Sequence, residues 1–175
     1  MTRQPIPIEK LVLKPQYLWS IQSLLLTSGD FTQGSFNAMT IGWGSFGVMW
    51  GIPFVQVVVR PTRYTYEFME RYDMFTVCAF PEKYAEALQI LGTKSGRDGD
   101  KITEAGLTPI QSTNVVAPSY AEAELVLECR KIYWDDLQNS HFLNVHIEEK
   151  YPRKDYHRIY YGEIVAVLGE KQYEA

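Results

Sequence analysis

The stretch from Asn37 to Thr65 constrains this chain more than any other. Met39 to Trp43 reads as a short strand, and a glycine- and aromatic-rich segment, Gly42-Trp43-Gly44-Ser45-Phe46-Gly47, follows it. Phe54 to Arg60 is then a second run, rich in valine and apolar at nearly every position, which suits a strand buried on both faces. Pro61 ends it, because proline cannot donate to a sheet ladder. From Thr65 the spacing changes: Tyr64, Phe68 and Tyr72 recur every four residues while Glu67, Glu70 and Arg71 fall elsewhere. That period predicts a short amphipathic helix capped by Thr62 or Thr65.

The remaining chain reads as strand more often than helix. Residues 1–15, with Pro5, Pro7 and Pro15, form an extended arm. Trp19 to Thr27 is predicted as a strand closed by the turn residues Ser28-Gly29-Asp30. Met74 to Phe80 is another. Pro81 opens a second helix with the stripe Tyr84, Ala87, Leu88 and Leu91, and Gly92 is placed at its C-terminal cap. Thr93 to Asp100 is a polar loop. Residues 123–129 alternate, with Glu124 and Glu128 at even positions, as a half-buried antiparallel strand does. Leu143, Val145 and Ile147 mark a further strand, and Ile159 to Leu168 the last. About eight strands with two or three short helices favour a mainly β, antiparallel barrel in one domain over residues 1–175.

Composition limits the function. Hydrophobic residues make up 46% and charged residues 22%, a globular balance, and the net charge of −4 argues against a nucleic-acid partner. The two cysteines, Cys78 and Cys129, sit in apolar runs without metal-ligand spacing and read as buried free thiols. Leu24-Leu25-Leu26 is too short for a membrane span, and a cytoplasmic protein with no membrane partner is expected.

Motifs of known mechanism mostly fail. Gly42 to Gly47 matches G-x-G-x-x-G, but Gly51 and Pro53 prevent the helix whose N-terminus would receive a pyrophosphate. Leu91-Gly92-Thr93-Lys94-Ser95-Gly96 lacks the glycines of a phosphate loop. Arg60, Arg63, Tyr64 and Thr65, at a strand end leading into a helix, suit phosphate, and they equally suit an ordinary solvated strand end. His141 and His146, taken as strand residues, point to opposite faces and share no metal; no metal site is expected. Asp135-Asp136 and Glu148-Glu149 diverge in the same way. With no catalytic side-chain constellation, any chemistry falls to a cofactor.

These residues resemble the flavin reductase-like family of FMN-binding split barrels, and within it the flavoredoxin type. The resemblance rests on Asn37-Ala38-Met39-Thr40-Ile41-Gly42-Trp43, Arg60-Pro61-Thr62-Arg63-Tyr64-Thr65 and Ser95-Gly96-Arg97-Asp98 with Asp100-Lys101. Glu128-Cys129 and Asp155-Tyr156-His157-Arg158, leading to Gly162-Glu163-Ile164-Val165, extend it. It implies a Greek-key split barrel of six strands with added helices, a homodimer, and FMN near the subunit interface. Asn37, Met39, Thr40, Ile41, Gly42 and Trp43 would then lie along the flavin. Arg60, Arg63, Tyr64 and Thr65 would surround its phosphate, and Thr93, Lys94, Ser95 and Gly96 would close over it. His157 falls where such proteins carry a histidine near the flavin. One departure is that Gly51-Ile52-Pro53 keeps a single proline beside the bulky Trp50, which implies a narrower loop on the substrate side. The implied activity is an FMN-dependent oxidoreductase passing reducing equivalents from NAD(P)H or a protein donor to flavin or a small acceptor. The alternative is an FMN-binding electron carrier or flavin store. A third reading stacks single-stranded nucleic acid on Trp43, Trp50 and Tyr64.

Overall fold

The computed structural model describes residues 2–175. Its strands are β1 (Gln4–Pro5), β2 (Leu24–Asp30), β3 (Ser35–Ile41), β4 (Gly44–Met49), β5 (Ile52–Val59), β6 (Met74–Ala79), β7 (Pro109–Ile110), β8 (Ser119–Tyr120), β9 (Leu125–Asp136) and β10 (Arg158–Gly169). The α-helical segments are α1 (Pro15–Tyr17), α2 (Tyr64–Arg71), α3 (Ala85–Thr93) and α4 (Lys101–Glu104). The main sheet is antiparallel in the order β3-β2-β6-β9-β10-β5-β4, with β1 added beside β10. Strands β7 and β8 pair separately.

The connection from β3 to β4 shows that this sheet is rolled up. These two strands stand at opposite ends of the order, yet only Gly42 and Trp43 join them. Laid flat, seven strands would put their outer members about 29 Å apart. From Ile41 to Gly44 the backbone reaches about 11 Å at most. The sheet therefore curls into a barrel whose ends meet, unpaired, at a seam. Trp19 fills the seam from inside, with its ring against the Gly44 backbone and 5.0 Å from the Phe46 ring.

Inside the barrel, odd-numbered residues of β6 and β9 (Phe75, Val77, Leu125, Leu127, Cys129) meet Leu24, Leu26, Val55, Val57 and Val59. The even-numbered Cys78 and Val126 face a second cluster with Leu88 and Leu91 of α3, Ile102 of α4, and Tyr120. This outer layer corrects the half-buried reading of residues 123–129. Glu124 and Glu128 are buried too. The Glu128 carboxylate accepts from the Thr113 and Asn114 N–H groups at 2.8 and 2.6 Å, and Glu124 accepts from Gln22, Gln172 and Tyr173. Both cysteines are free and buried. In β5 the outward Gln56 and Val58 are half-buried, not enclosed as expected.

Other expectations change at the ends of elements. Trp19 is not in a strand: α1 runs into a wide π turn at Leu18–Gln22, and Ser23 (φ 62°) reverses the chain into β2. The second strand is Ser35–Ile41, ending before Trp43. The glycine-rich segment after it is largely β4, which forms a hairpin with β5 through Trp50 (φ 56°) and Gly51 (φ 73°), a left-handed pair matching a two-residue hairpin turn. Gly92 lies within α3, whose cap is Lys94, and brings the helix against Thr40. Residues 143–147 form no strand. Strands β9 and β10 pair to their ends at Asp136 and Arg158, leaving 137–157 as a connection folded into 3-10 turns at Asn139–His141 and Val145–Lys150. The strand geometry assumed for His141 and His146 is therefore wrong. Among the described residues no helix is long and apolar enough to cross a membrane.

Gly162 tests the close packing of the barrel wall. It sits at a register shift between β10 and β9, and a Cβ there would lie 2.3 Å from Cζ of the buried Phe75 ring. Gly162→Ala is expected to destabilise the fold by about 1–3 kcal/mol through overpacking. An unchanged urea midpoint would show that Phe75 yields freely.

Candidate functional site

The seam opens into a cleft of about 230 Å³ lined by Met39, Thr40, Ile41, Gly42, Trp43, Val58, Arg60, Arg63 and His157. Its floor is the end of β3 and the short link to β4. The geometry that closes the barrel thus also exposes backbone there. Thr40 is held by a hydrogen bond from Oγ1 to the Leu88 carbonyl of α3 at 2.5 Å. Trp43 is half-exposed, and its ring lies 5.1 Å from the His157 imidazole.

A second cleft of about 180 Å³ adjoins the first, sharing Met39 and Arg63. Asn37, Thr62, Tyr64, Thr65, Leu91, Thr93, Lys94, Ser95, Arg97 and Lys101 complete its lining. Its charged residues are all cations: Arg63, Lys94, Arg97 and Lys101. Two of these have acids just outside, Arg97 with Glu67 and Lys94 with Glu104. Arg97 also stacks on Tyr64, with its guanidinium carbon 4.7 Å from the ring centroid.

Lys101 differs from the others. It is buried, and its Nζ donates to the Leu91 and Lys94 carbonyls at 2.9 and 3.0 Å. Those two bonds leave one ammonium proton over. No carboxylate pairs with it among the described residues. Burial, and then the neighbouring Arg63 charge, lower its pKa to about 8. A buried cation held by neutral carbonyls beside a cleft is poised for an anion.

Local structure keeps this cleft open. Arg63 is the N-cap of α2 and supplies no side-chain cap; neither Thr62 nor Thr65 takes that role. Thr65 instead accepts from Asn37 Nδ2 at 2.7 Å, a buried bond joining α2 to β3. Arg63 donates to the Gly92 carbonyl at 3.3 Å. Gly96 presses so close that a Cβ would lie 2.1 Å from Asn37 Oδ1, so the loop after α3 can reach β3 only with glycine there.

The residues singled out in the sequence divide among these cavities. Met39, Thr40, Ile41, Gly42, Trp43, Arg60, Arg63 and His157 line the first; Asn37, Tyr64, Thr65, Thr93, Lys94 and Ser95 line the second. Gly96 belongs to a third opening beside Asn37 and Tyr64. Arg60 is absent from the cation-rich cleft. Its guanidinium is tied to Asp155 at 2.9 Å and to the Lys150 carbonyl at 2.8 Å. Sequence reasoning assigned no role to Lys101, Arg97 or Tyr151. The signal for the first two was present, since both stand in the Ser95-to-Lys101 motif. Trp50 lies outside both clefts, against Tyr133 and Tyr161, so it forms no single stacking surface with Trp43 and Tyr64.

Comparison with known proteins agrees with this picture. Residues 22–175 match the profile of the flavin reductase-like domain. An uncharacterised protein of Pyrococcus abyssi is 27% identical over 152 residues, covering 85% of this chain and 74% of that one. The structure of an FMN-binding domain of a flavin reductases-like enzyme from Shewanella baltica superposes with a TM-score of 0.69 at 18% identity, covering 98% of this chain and 80% of that one. Flavoredoxin from Methanosarcina acetivorans gives a TM-score of 0.66 at 24% identity, covering 97% and 74%. The architecture is the split barrel of these neighbours.

His157 gives the site a pH signature. Burial, then the Arg60 charge, outweigh Asp155 and lower its pKa to about 4. The unfolded chain therefore binds a proton here at a higher pH, near 6.5, than the folded one. This contribution to stability is present above pH ~6.5 and is lost as the pH falls towards 4. In His157→Gln the fall of the urea midpoint across that window is expected to be shallower. An identical slope would assign the fall to other groups.

Proposed function

Because the chain belongs to the flavin reductase-like domain family, we propose that it is an FMN-binding oxidoreductase. It would pass reducing equivalents from NAD(P)H or a protein donor to flavin or a small acceptor. The observation that carries this reading is the pair of adjoining clefts, one lined by cations and hydroxyls and the other by backbone, an aromatic ring and an imidazole.

The residues present fit FMN. Arg63, Lys101 and the Thr65 and Ser95 hydroxyls would hold the phosphate, helped by the first-turn N–H groups of α2, which no side chain caps. Met39, Thr40, Ile41, Gly42 and Trp43 would lie along the ring and its chain. Bound there, the flavin supplies two-electron redox chemistry. The protein's own residues bind, orient and exclude water: Thr40 is fixed by α3, Arg60 is anchored to Asp155, and Trp43 and His157 wall the cleft. The same clefts would serve an electron carrier, and steady-state oxidation of NADH and NADPH with added FMN separates the two. Consumption of neither donor would remove the reductase version.

We also propose a homodimer. Val48, Met49 and Trp50 at the hairpin tip and Tyr133 and Trp134 on β9 are exposed apolar residues. Light scattering should give twice the chain mass, and a monomer at micromolar concentration would remove this proposal.

Fluorescence titration tests the phosphate assignment. Arg63→Ala and Lys101→Met should each weaken FMN more than riboflavin, which lacks the phosphate. Above pH ~8 the Lys101 amine is neutral in the free protein and must take up a proton on binding. FMN affinity should therefore fall with rising pH in the wild type, and this fall should flatten in Lys101→Met. Equal losses for both ligands would refute the assignment.

A further inference from the structure

The wall of the first cleft contains a second layer that the flavin reading does not use. The Tyr151 hydroxyl lies 2.8 Å from His157 Nδ1, both side chains are buried, and their rings meet edge to face at 5.5 Å. Tyr151 is itself clamped. Phe142 stacks on it at 5.9 Å and 15°, the Arg60 guanidinium covers it at 4.9 Å, and the Tyr156 ring lies 5.1 Å away. The His157 carbonyl accepts from the Leu137 N–H at 3.0 Å, which fixes the backbone beneath the ring.

Proton accounting gives this contact a direction. Burial raises the Tyr151 phenol above its usual range, and the imidazole is held neutral. Both groups therefore keep one proton each at neutral pH. The phenol has no acceptor other than Nδ1 among the described residues. If Nδ1 carried the imidazole proton, the buried phenol proton would be left unpaired, which burial makes costly. If Nδ1 is the bare nitrogen, the phenol donates to it and the proton lies on Nε2. That nitrogen has no partner among the described residues, and the ring lines the cleft beside Trp43.

We propose that Tyr151 is a positioning residue that locks His157 as a neutral Nε2–H donor towards the cleft. The cleft would then favour a ligand atom that accepts a hydrogen bond, such as a carbonyl oxygen or a bare nitrogen of a conjugated ring. The charged groups around the imidazole are Arg60 at the end of β5, Arg63 at the start of α2, and Asp155 on the connection before β10. The two arginines oppose a positive imidazole, and Asp155 favours one. The tautomer assignment stands on the phenol–imidazole contact and the one proton kept by each group, whereas the identity of the acceptor rests on the flavin reading.

Long-range 15N–1H correlation spectra of the three histidines read the tautomer directly. His141 and His146 are exposed, so His141→Gln and His146→Gln identify the His157 signals by elimination without touching the site. The wild type is expected to show His157 protonated on Nε2 from pH 6 to 8. In Tyr151→Phe, which keeps the ring and removes only the hydroxyl, a mixture of both tautomers is expected. A protonated Nδ1 in the wild type would overturn the proposal, as would an unchanged tautomer in a folded Tyr151→Phe. Adding FMN should shift the Nε2 signal, and an unmoved signal with FMN demonstrably bound would overturn the ligand contact. Failure to bind FMN at all is read separately from flavin fluorescence. It would refute the proposed function and the flavin contact together, while the tautomer still decides the role of Tyr151.

Discussion

Two residues, Gly42 and Trp43, tie together strands that the sheet order places at opposite ends, and the rest of the architecture follows from that shortness. A flat sheet cannot satisfy it, so the sheet must roll. The two edges then meet without pairing, because no ladder joins β3 to β4. An open seam would leave a hole in the barrel wall, and Trp19 fills it from a helical turn that precedes the first long strand. On the other side of the wall the same seam leaves backbone and the Trp43 ring lining a cleft. Closure and site are one structural event.

The second constraint is electrostatic. Four cations around a small cleft repel one another, and they are tolerated because each is held in place. Arg97 and Lys94 have acids just outside, Arg63 rests on the Gly92 carbonyl, and Lys101 rests on two carbonyls near the end of α3. The buried acids show the opposite arrangement. Glu124 and Glu128 are bonded to neutral donors, and they pin loops and the C-terminal segment to the barrel. Buried charge in this molecule is therefore of two kinds. The carboxylates are satisfied internally, whereas the lysine retains a proton to offer.

Much of the fold was legible where burial follows chain periodicity. The apolar runs of β5 and β10 and the four-residue spacing of α2 are local patterns that show the type of each element, although one face of β5 is less enclosed than its run suggests. Three readings failed for tertiary reasons. Trp19 looks like a strand residue because it is apolar, but its place is set by a gap that exists only after closure. Glu124 and Glu128 look like solvent-facing residues until helices and the 111–117 loop cover that face. Leu143, Val145 and Ile147 alternate as a strand would, yet they fall in the connection between β9 and β10, which folds into 3-10 turns. The candidate site was legible in its backbone stretch and in most of its polar residues. Lys101 and Tyr151 were not assigned, because their importance lies in what surrounds them: carbonyls for one and an imidazole for the other.

Together the two clefts divide electrostatic labour along one groove. One end gathers positive charge and suits a phosphate, whose position does not depend on the orientation of the rest of a ligand. At the other end an additional charge would bind indiscriminately, and here the fold removes one: His157 is buried beside Arg60 and kept neutral. A neutral imidazole still has a direction, donating from one nitrogen and accepting at the other. Whether the nitrogen towards the cleft donates or accepts depends on the partner behind the ring, and on the tautomer proposed above that partner is Tyr151, a residue absent from the lining. Arg60 completes the arrangement by covering the Tyr151 ring while bonding to Asp155, and it stays out of the cation-rich cleft.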